Sequence, residues 1–357
     1  MSLFMRRFPA LAVFIAVLAA PLPHGSAAEP EPSQHEQWGL ANIEGPAAWA
    51  TAKGEGAVVA VVDTGVDKDH PELIGRLTGG ASFYDCPAGA HVPCTDPEAW
   101  DDRNGHGTHV AGIVAAPLDG VGIAGVAPKA EIMPVRVLNA TGHGTEADIA
   151  TGIRWAVDNG AHVINLSLSV WKIANSQIVL GAAGLDEGVN AAWQHARAHG
   201  VLVVAAAGND GKLSCNNEFT TNGGLCVGAV SQTDEHPSWS NWGAGVDLVA
   251  PGGGMATSGG PCEEEILSLW IVEADVDGCL GPQYAEIGGT SMASPHVAGV
   301  AALLYQLGLR GDAAADRILR TTDDVGPPGP DAHHAMGRLN ARRAVENDTL
   351  VPPIPRS

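Results

Sequence analysis

The chain has 357 residues, 45% hydrophobic and 17% charged, which is enough apolar material for a sizeable core in one large domain or two small ones. Its formal net charge of −21 argues against nucleic acid and anionic membranes as partners and favours solubility. The 46 glycines favour tight turns and close backbone approaches over long helical rods.

At the start, Arg6 and Arg7 precede an apolar stretch, 8–22, and Ser26-Ala27-Ala28 stand ahead of Glu29. A basic start, a short apolar run and small residues at the −3 and −1 positions describe a secretory signal peptide over residues 1–28, so the mature chain is expected to be secreted or extracytoplasmic, without stable membrane association. A short polar lead-in, 29–42, follows. AVVAVV at 57–62 reads as a fully buried strand, 109–116 as a helix and 131–138 as a second strand. Thr145-Glu-Ala-Asp148 has capping-box form and opens a helix with Ile149, Ile153, Ala156 and Val157 on one face, which Gly160 is placed to end. AHVINL (161–166) is a strand, and a helix over 189–199, closed by Gly200, leads into the strand VLVVAA at 201–206. Strands that are apolar throughout and alternate with helices predict an α/β fold of three layers, a mostly parallel central sheet with helices on both faces. One domain, 43–347, is the simplest partition, with a Pro-rich tail at 348–357. A monomer is expected.

The six cysteines fall as Cys86/Cys94, Cys215/Cys226 and Cys262/Cys279, close pairs that agree with export. Sequence alone leaves the connectivity open, and sequential pairing is the economical expectation. No CxxC occurs and the histidines are scattered, which argues against a structural zinc.

In such folds reactive residues lie just beyond the carboxyl ends of the strands. Four polar residues stand in suitable places. Asp63 follows AVVAVV directly; His106 lies in NGHGTH just before a helix; Asn209 follows VVAAAG; Ser291 lies in GGTSMASPHVAG at the start of another helix. A serine hydroxyl needs a base to take its proton, and histidine has a suitable pKa of about 6.5. A buried carboxylate fixes the imidazole tautomer and stabilises the cation that forms. Backbone N–H groups at a helix start, with an asparagine amide beside them, can receive a developing oxyanion.

VVDTGVD, NGHGTHVAG, AAAGND and GTSMASPHVAG resemble the signature segments of the subtilisin-like serine peptidases. They also stand in that family's order of Asp, His, Ser, which is one of the standard worked cases of triad chemistry. The resemblance spans about 43–345. It implies a subtilisin-like fold and a secreted serine endopeptidase acting on polypeptide substrates, with Asp63, His106 and Ser291 as triad and with Asn209 and the Ser291 N–H as oxyanion hole. It further implies that Ser167, Leu168 and Ser169 pair with the substrate backbone, with Gly142, His143 and Gly144 as the opposite edge. The family usually has glycine where Ser169 stands. Asp210 would add negative charge near the first pocket and favour a basic side chain. By the same resemblance 117–123 is a calcium loop, with Gln34, Glu72 and Asp119 near the side-chain ligand positions and structural Ca2+ as the only cofactor; the family usually has Asp in place of Glu72.

The sequence departs from the family in two ways. Many secreted relatives carry a long folding prodomain, and only a short segment separates Glu29 from Ile43, so folding without one is expected. Segments 84–100, 170–184 and 259–283 look inserted, which bears on specificity more than on mechanism. Esterase or peptide-ligase chemistry from the same triad is the alternative within enzymes. The GxSxG of α/β-hydrolases is missing, His106 excludes the relatives that place an acid there, and an intact set of four argues against a catalytically dead binding protein.

Overall fold

In the computed structural model the described residues are 31–84, 86, 92–168, 188–216, 223–254, 262–271, 280–281 and 283–348. The expected signal peptide, Ser169, Cys279, all of 170–184 and nearly all of the tail lie outside them. Two short helices, α1 (Trp38–Asn42) and α2 (Gly45–Ala48), lead into β1 (Val58–Asp63), whose β-branched valines suit a pleated strand. Then come β2 (Ala81–Ser82), α3 (Pro97–Trp100), α4 (His106–Ala115), β3 (Glu131–Arg136), α5 (Glu146–Asp158), β4 (Val163–Leu166), α6 (Val189–Ala198) and β5 (Leu202–Ala206). β6 (Leu225–Val230) and β7 (Leu248–Pro251) complete the main sheet. β8 (Ile266–Leu269), β9 (Leu280–Gly281) and β10 (Tyr284–Ile287) make a small antiparallel sheet, and α7 (Thr290–Gln306), α8 (Gly311–Arg320) and α9 (Ala341–Glu346) end the described chain.

The main sheet has seven parallel strands in the order β2-β3-β1-β4-β5-β6-β7. Side chains alternate across a strand, so β1 feeds two cores. Val59 and Val61 join Val110 and Val114 of α4 and Val297 and Leu304 of α7. Ala60 and Val62 join Ile149 and Ile153 of α5 and Trp193 of α6. The expected α/β sandwich, helices on both faces of a parallel sheet, is the observed fold. With β3 on one side of β1 and β4 on the other, the strand order reverses at β1, the position beyond whose carboxyl end open α/β sheets place their binding crevice.

Two boundaries differ from expectation. The strand at 131 stops at Arg136, because the next two N–H groups, of Val137 and Leu138, both turn onto the Asp63 carbonyl (2.9 and 3.2 Å). The helix expected at 109 begins at His106, because the carboxylate of Asp102 draws the segment before it into a turn. No helix among the described residues is long and apolar enough to cross a membrane.

Candidate active site

Asp63 is the last residue of β1 and fully buried. Its Oδ1 accepts hydrogen bonds from Thr64 N (2.7 Å) and from Nδ1 of His106, the first residue of α4 (2.8 Å). The two chain segments can come this close because Gly107 carries no side chain: a Cβ there would meet the Gly65 carbonyl at 2.0 Å and Asp63 Cβ at 3.2 Å. The His106 side chain stays 25% exposed, so one ring nitrogen is held and the other faces the crevice side. Burial opposes its cation, but the charge and hydrogen bond of Asp63, with the charge of Asp102 behind them, outweigh burial and hold His106 above the ordinary histidine pKa.

Asp102 organises the approach to His106, a role the sequence motifs did not reveal. Its Oδ1 accepts from Thr64 Oγ1 (2.9 Å), Asn104 N (2.9 Å) and Gly105 N (3.1 Å). Its Oδ2 accepts from Thr108 N (3.0 Å) and Thr108 Oγ1 (2.7 Å). Thr64 Oγ1 in turn accepts from Gly107 N (3.0 Å). A buried carboxylate thus serves as the cap for the start of α4 and locks it to the residue after Asp63. From the other side, Ser268 Oγ of β8 donates to the His109 carbonyl (2.7 Å), so the segment thought to be inserted braces the same helix.

Ser291 is the second residue of α7, whose N-cap, Gly289, has φ +150°. Pro295 stands four residues after Ser291, and proline has no N–H to give the Ser291 carbonyl its helical bond. Ser167 Oγ, just past β4, supplies that donor at 2.7 Å, and also meets Ser294 Oγ (3.0 Å) and Asn165 Nδ2 (2.8 Å). The Ser291 hydroxyl donates to the Ser167 carbonyl (3.2 Å), not to His106. Asn209, just past β5, accepts at Oδ1 from Thr290 N (2.9 Å) and Thr290 Oγ1 (2.8 Å), which leaves its Nδ2 as the outward donor. A Cβ built on Gly289 would lie 3.1 Å from Asn209 Nδ2 and 3.7 Å from Ser291 N. Both donors therefore border one space that only glycine leaves open.

The structure thus holds an acid–imidazole pair at the end of β1 and a helix-start serine with two N–H donors beside it. The profile of the subtilase family (peptidase S8) matches residues 54–337 of this chain. The chain belongs to the subtilase family. As a subtilase it is a serine endopeptidase, a hydrolase. It is 39% identical to thermitase of Thermoactinomyces vulgaris over 311 residues, covering 87% of this chain and 96% of that one. It is 40% identical to Subtilisin Savinase of Lederbergia lenta over 275 residues, covering 77% of this chain and 86% of the other. Among solved structures, a protease from Pseudoalteromonas arctica PAMC 21717 superposes with a TM-score of 0.73 at 32% identity, over 90% of this chain and 100% of that one.

The edges expected to bind substrate have their own geometry in this subtilase. Gly142, with φ +77°, turns the chain so that Asn139 N bonds the His143 carbonyl (2.8 Å). Asn139 Oδ1 also accepts from the N–H groups of Thr141 (2.9 Å) and His143 (3.0 Å). His143 and Gly144 are exposed, but Asn139 already takes both the N–H and the carbonyl of His143, so a peptide pairing at this edge would displace those bonds or use Gly144. Asn104 ties this turn to the histidine loop: its Nδ2 donates to the Ala140 carbonyl (2.8 Å) and its Oδ1 accepts from His106 N (3.2 Å). Ser167 and Leu168 are buried. Asp210 is already engaged, by Asn216 Nδ2 (2.7 Å) and Lys212 Nζ (3.4 Å), and does not offer the free negative charge expected of it. His109 and His296 are buried and structural: His109 Nε2 donates to the carbonyls of Ile266 and Ala285, and His296 Nδ1 to that of Met292. Burial pushes them down to about 3 and about 4.

Cys86–Cys94 and Cys215–Cys226 are disulfides, with Cα separations of 5.8 and 6.5 Å, as sequential pairing expects. Cys262 is disulfide-bonded; Cys279, its expected partner, lies outside the described residues.

The residues expected to hold calcium are each hydrogen-bonded in this structure. A calcium ion asks for roughly 6–8 available oxygens. Gln34 Oε1 accepts from Glu31 N (3.1 Å), and Asp119 Oδ1 from Val121 N (3.1 Å). Glu72 accepts from the Tyr284 hydroxyl and from Ile123 N (3.3 Å). Burial, with the negative charges of Asp119 and Glu31 behind it, pushes the Glu72 carboxyl up to about 7 against the pull of those bonds. Among the described residues no group of three or more His, Cys, Asp or Glu is arranged to hold a metal ion.

Proposed function

We propose that this subtilase cleaves peptide bonds through an acyl-enzyme on Ser291, with His106 as general base and acid, Asp63 as its orienting carboxylate, and Asn209 Nδ2 with the Ser291 N–H as oxyanion donors. The observation that carries the proposal is the 2.8 Å bond from His106 Nδ1 to Asp63 Oδ1. It fixes the tautomer with the proton on Nδ1, which leaves Nε2 as the base.

The steps follow from the geometry. The Ser291 hydroxyl turns from the Ser167 carbonyl to His106, a bond that tightens once substrate is bound. Oγ attacks the scissile carbonyl carbon while its proton passes to Nε2. The oxygen that gains the negative charge enters the space beside Gly289 between the two donors. The imidazolium, stabilised by Asp63 and Asp102, gives its proton to the departing amine; a water molecule, deprotonated by the same nitrogen, then releases the acid and restores Ser291. The reaction uses side chains and backbone alone, with no cofactor.

The substrate is a polypeptide held extended between 142–144 and the main chain of 167–169, a β-augmentation that uses backbone groups and tolerates many sequences. The domain is bounded at 43–347, and the protein is exported by residues 1–28 and acts as a monomer outside the cytoplasm.

A serine-directed phosphonate tests the chemistry. The adduct, mapped by mass spectrometry, is expected on Ser291 and is abolished by Ser291→Ala or by prior unfolding. An adduct elsewhere, or none on folded protein, overturns the reading. N-terminal sequencing of protein recovered from the culture medium is expected to start at Glu29.

A further inference from the structure

His195-Ala-Arg-Ala-His199 places two histidines four residues apart at the end of α6, ahead of β5 and outside the residues described for the active site. Residues so spaced are neighbours on one helix face. The two rings lie with centroids 4.3 Å apart and planes tilted by 48°. Each is held through one nitrogen. His195 Nε2 donates to Asp158 Oδ1, at the end of α5 (2.8 Å). His199 Nδ1 donates to the His195 carbonyl (2.8 Å). These bonds leave His195 Nδ1 and His199 Nε2 uncommitted on a face that water reaches: the side chain of His195 is 27% exposed, and His199 is more open still.

We propose that His195 and His199 chelate a divalent transition metal of the zinc or copper class, with Asp158 as the carboxylate that orients the first imidazole. Neutral imidazole nitrogens select such ions over calcium and magnesium. Two histidines at i and i+4 of one helix are a known zinc-binding spacing. Two rings bound to one ion at a metal–nitrogen distance of about 2.1 Å have centres roughly 5 Å apart, and the observed 4.3 Å is close to that spacing. A carboxylate on the far nitrogen of a ligating histidine is the usual second partner, since it fixes the tautomer and raises ligand basicity. Water fills the remaining positions, so binding is reversible. The negative net charge of the protein concentrates cations near its surface. Because Asp158 ends α5 and both histidines end α6, an ion held there fastens two neighbouring helices and, binding the folded state alone, raises its stability.

Isothermal titration of the metal-free full chain with zinc chloride tests this, in excess calcium so that oxygen-ligand sites stay filled. One saturable site is expected. His199→Ala and His195→Ala, both outside the core, should each weaken it tenfold or more, and Asp158→Asn by roughly tenfold. The melting temperature should rise with zinc in the parent protein and not in His199→Ala. His236 and His333 form a second ring pair, with centroids 4.7 Å apart, so His236→Ala is the control and should change nothing. No saturable binding by the parent overturns the proposal. So does a His199→Ala variant that binds and melts like the parent, or loss of binding in His236→Ala alone.

Discussion

Strand β1 has a histidine at each end, and the two are shifted in opposite directions. At its carboxyl end Asp63 takes a hydrogen bond from His106, and at its amino end the N–H of Val58 donates to Nδ1 of His162 (3.0 Å). His106 faces two carboxylates, which overcome its burial and favour the cation. His162 is stacked on Tyr305, with ring centroids 3.8 Å apart, and faces Arg310; burial first and that positive charge second hold it below the ordinary histidine value. Residue type does not separate a base from a structural clasp here. What separates them is which hydrogen-bonding group of the strand each ring meets, and the sign of the charge behind it. The carboxyl ends of a parallel sheet are where reacting groups collect, and the amino end of β1 is closed by a stack of His162 on Tyr305 beside Arg310.

If the two ends differ in this way, changes at the carboxyl end cost rate and leave the fold standing. Asp63→Asn should lower kcat by about 10⁴-fold, because the amide favours the wrong imidazole tautomer. Peptide hydrolysis by an otherwise native protein measures it, and a loss below tenfold would remove Asp63 from the mechanism. Asn209→Ala should lower kcat by about 10²–10³ with KM little changed, since the lost donor serves the transition state. A rise in KM alone would mean that the amide binds substrate instead. Asp102→Asn is the subtler change. A base must be neutral to act, so with His106 in that role kcat/KM should rise with pH through its pKa, which is held above the ordinary value of about 6.5. Removing the Asp102 charge lowers that pKa and moves the acid limb to lower pH. The amplitude falls too, since the amide NH2 faces the Thr108 N–H that Oδ2 now accepts. A purely structural role for Asp102 would lower the amplitude and leave the limb in place.

How far sequence reaches follows the same division. Asp63 and Asn209 are legible because each is a polar residue just past an unbroken apolar strand, and His106 and Ser291 because glycines flank a helix start. The alternation of apolar strands with capped helices likewise predicts the layered sheet. Asp102 escapes notice because an acid four residues before a histidine looks like any turn residue; only closing the loop gathers its five donors. Ser167 escapes as a brace for α7, although Pro295 announces an orphaned carbonyl at Ser291 to a reader who counts four residues back. The surroundings of the residues expected to hold calcium are hidden for a tertiary reason. Gln34, Glu72 and Asp119 sit on separate segments, and nothing local to any of them tells that Tyr284 of β10 takes the Glu72 carboxyl.

The smallest predicted effect lies at the amino end of β1, and it touches stability alone. His162 Nδ1 accepts the Val58 N–H, so its proton sits on Nε2, which donates to the Tyr305 hydroxyl (2.8 Å). Arg310 NH2 donates to the same hydroxyl (3.2 Å). A second proton on the ring would face the Val58 N–H and add a cation beside Arg310. The folded pKa is therefore lowered, and the folded state binds fewer protons than the unfolded chain. By linkage the stabilisation is fully present above the unfolded value of about 6.5 and is lost as pH falls through it towards the folded one. His162→Gln keeps an acceptor for Val58 and removes the titration. In urea unfolding of the Ser291→Ala protein, where autolysis does not interfere, the fall in stability between about pH 7.5 and about pH 5 should be smaller with His162→Gln by about 1 kcal/mol, the worth of one hydrogen bond. At the upper pH the two proteins should differ little. Equal falls in both would show that the stack tolerates the proton, and the contrast between the two ends of β1 would then rest on His106 alone.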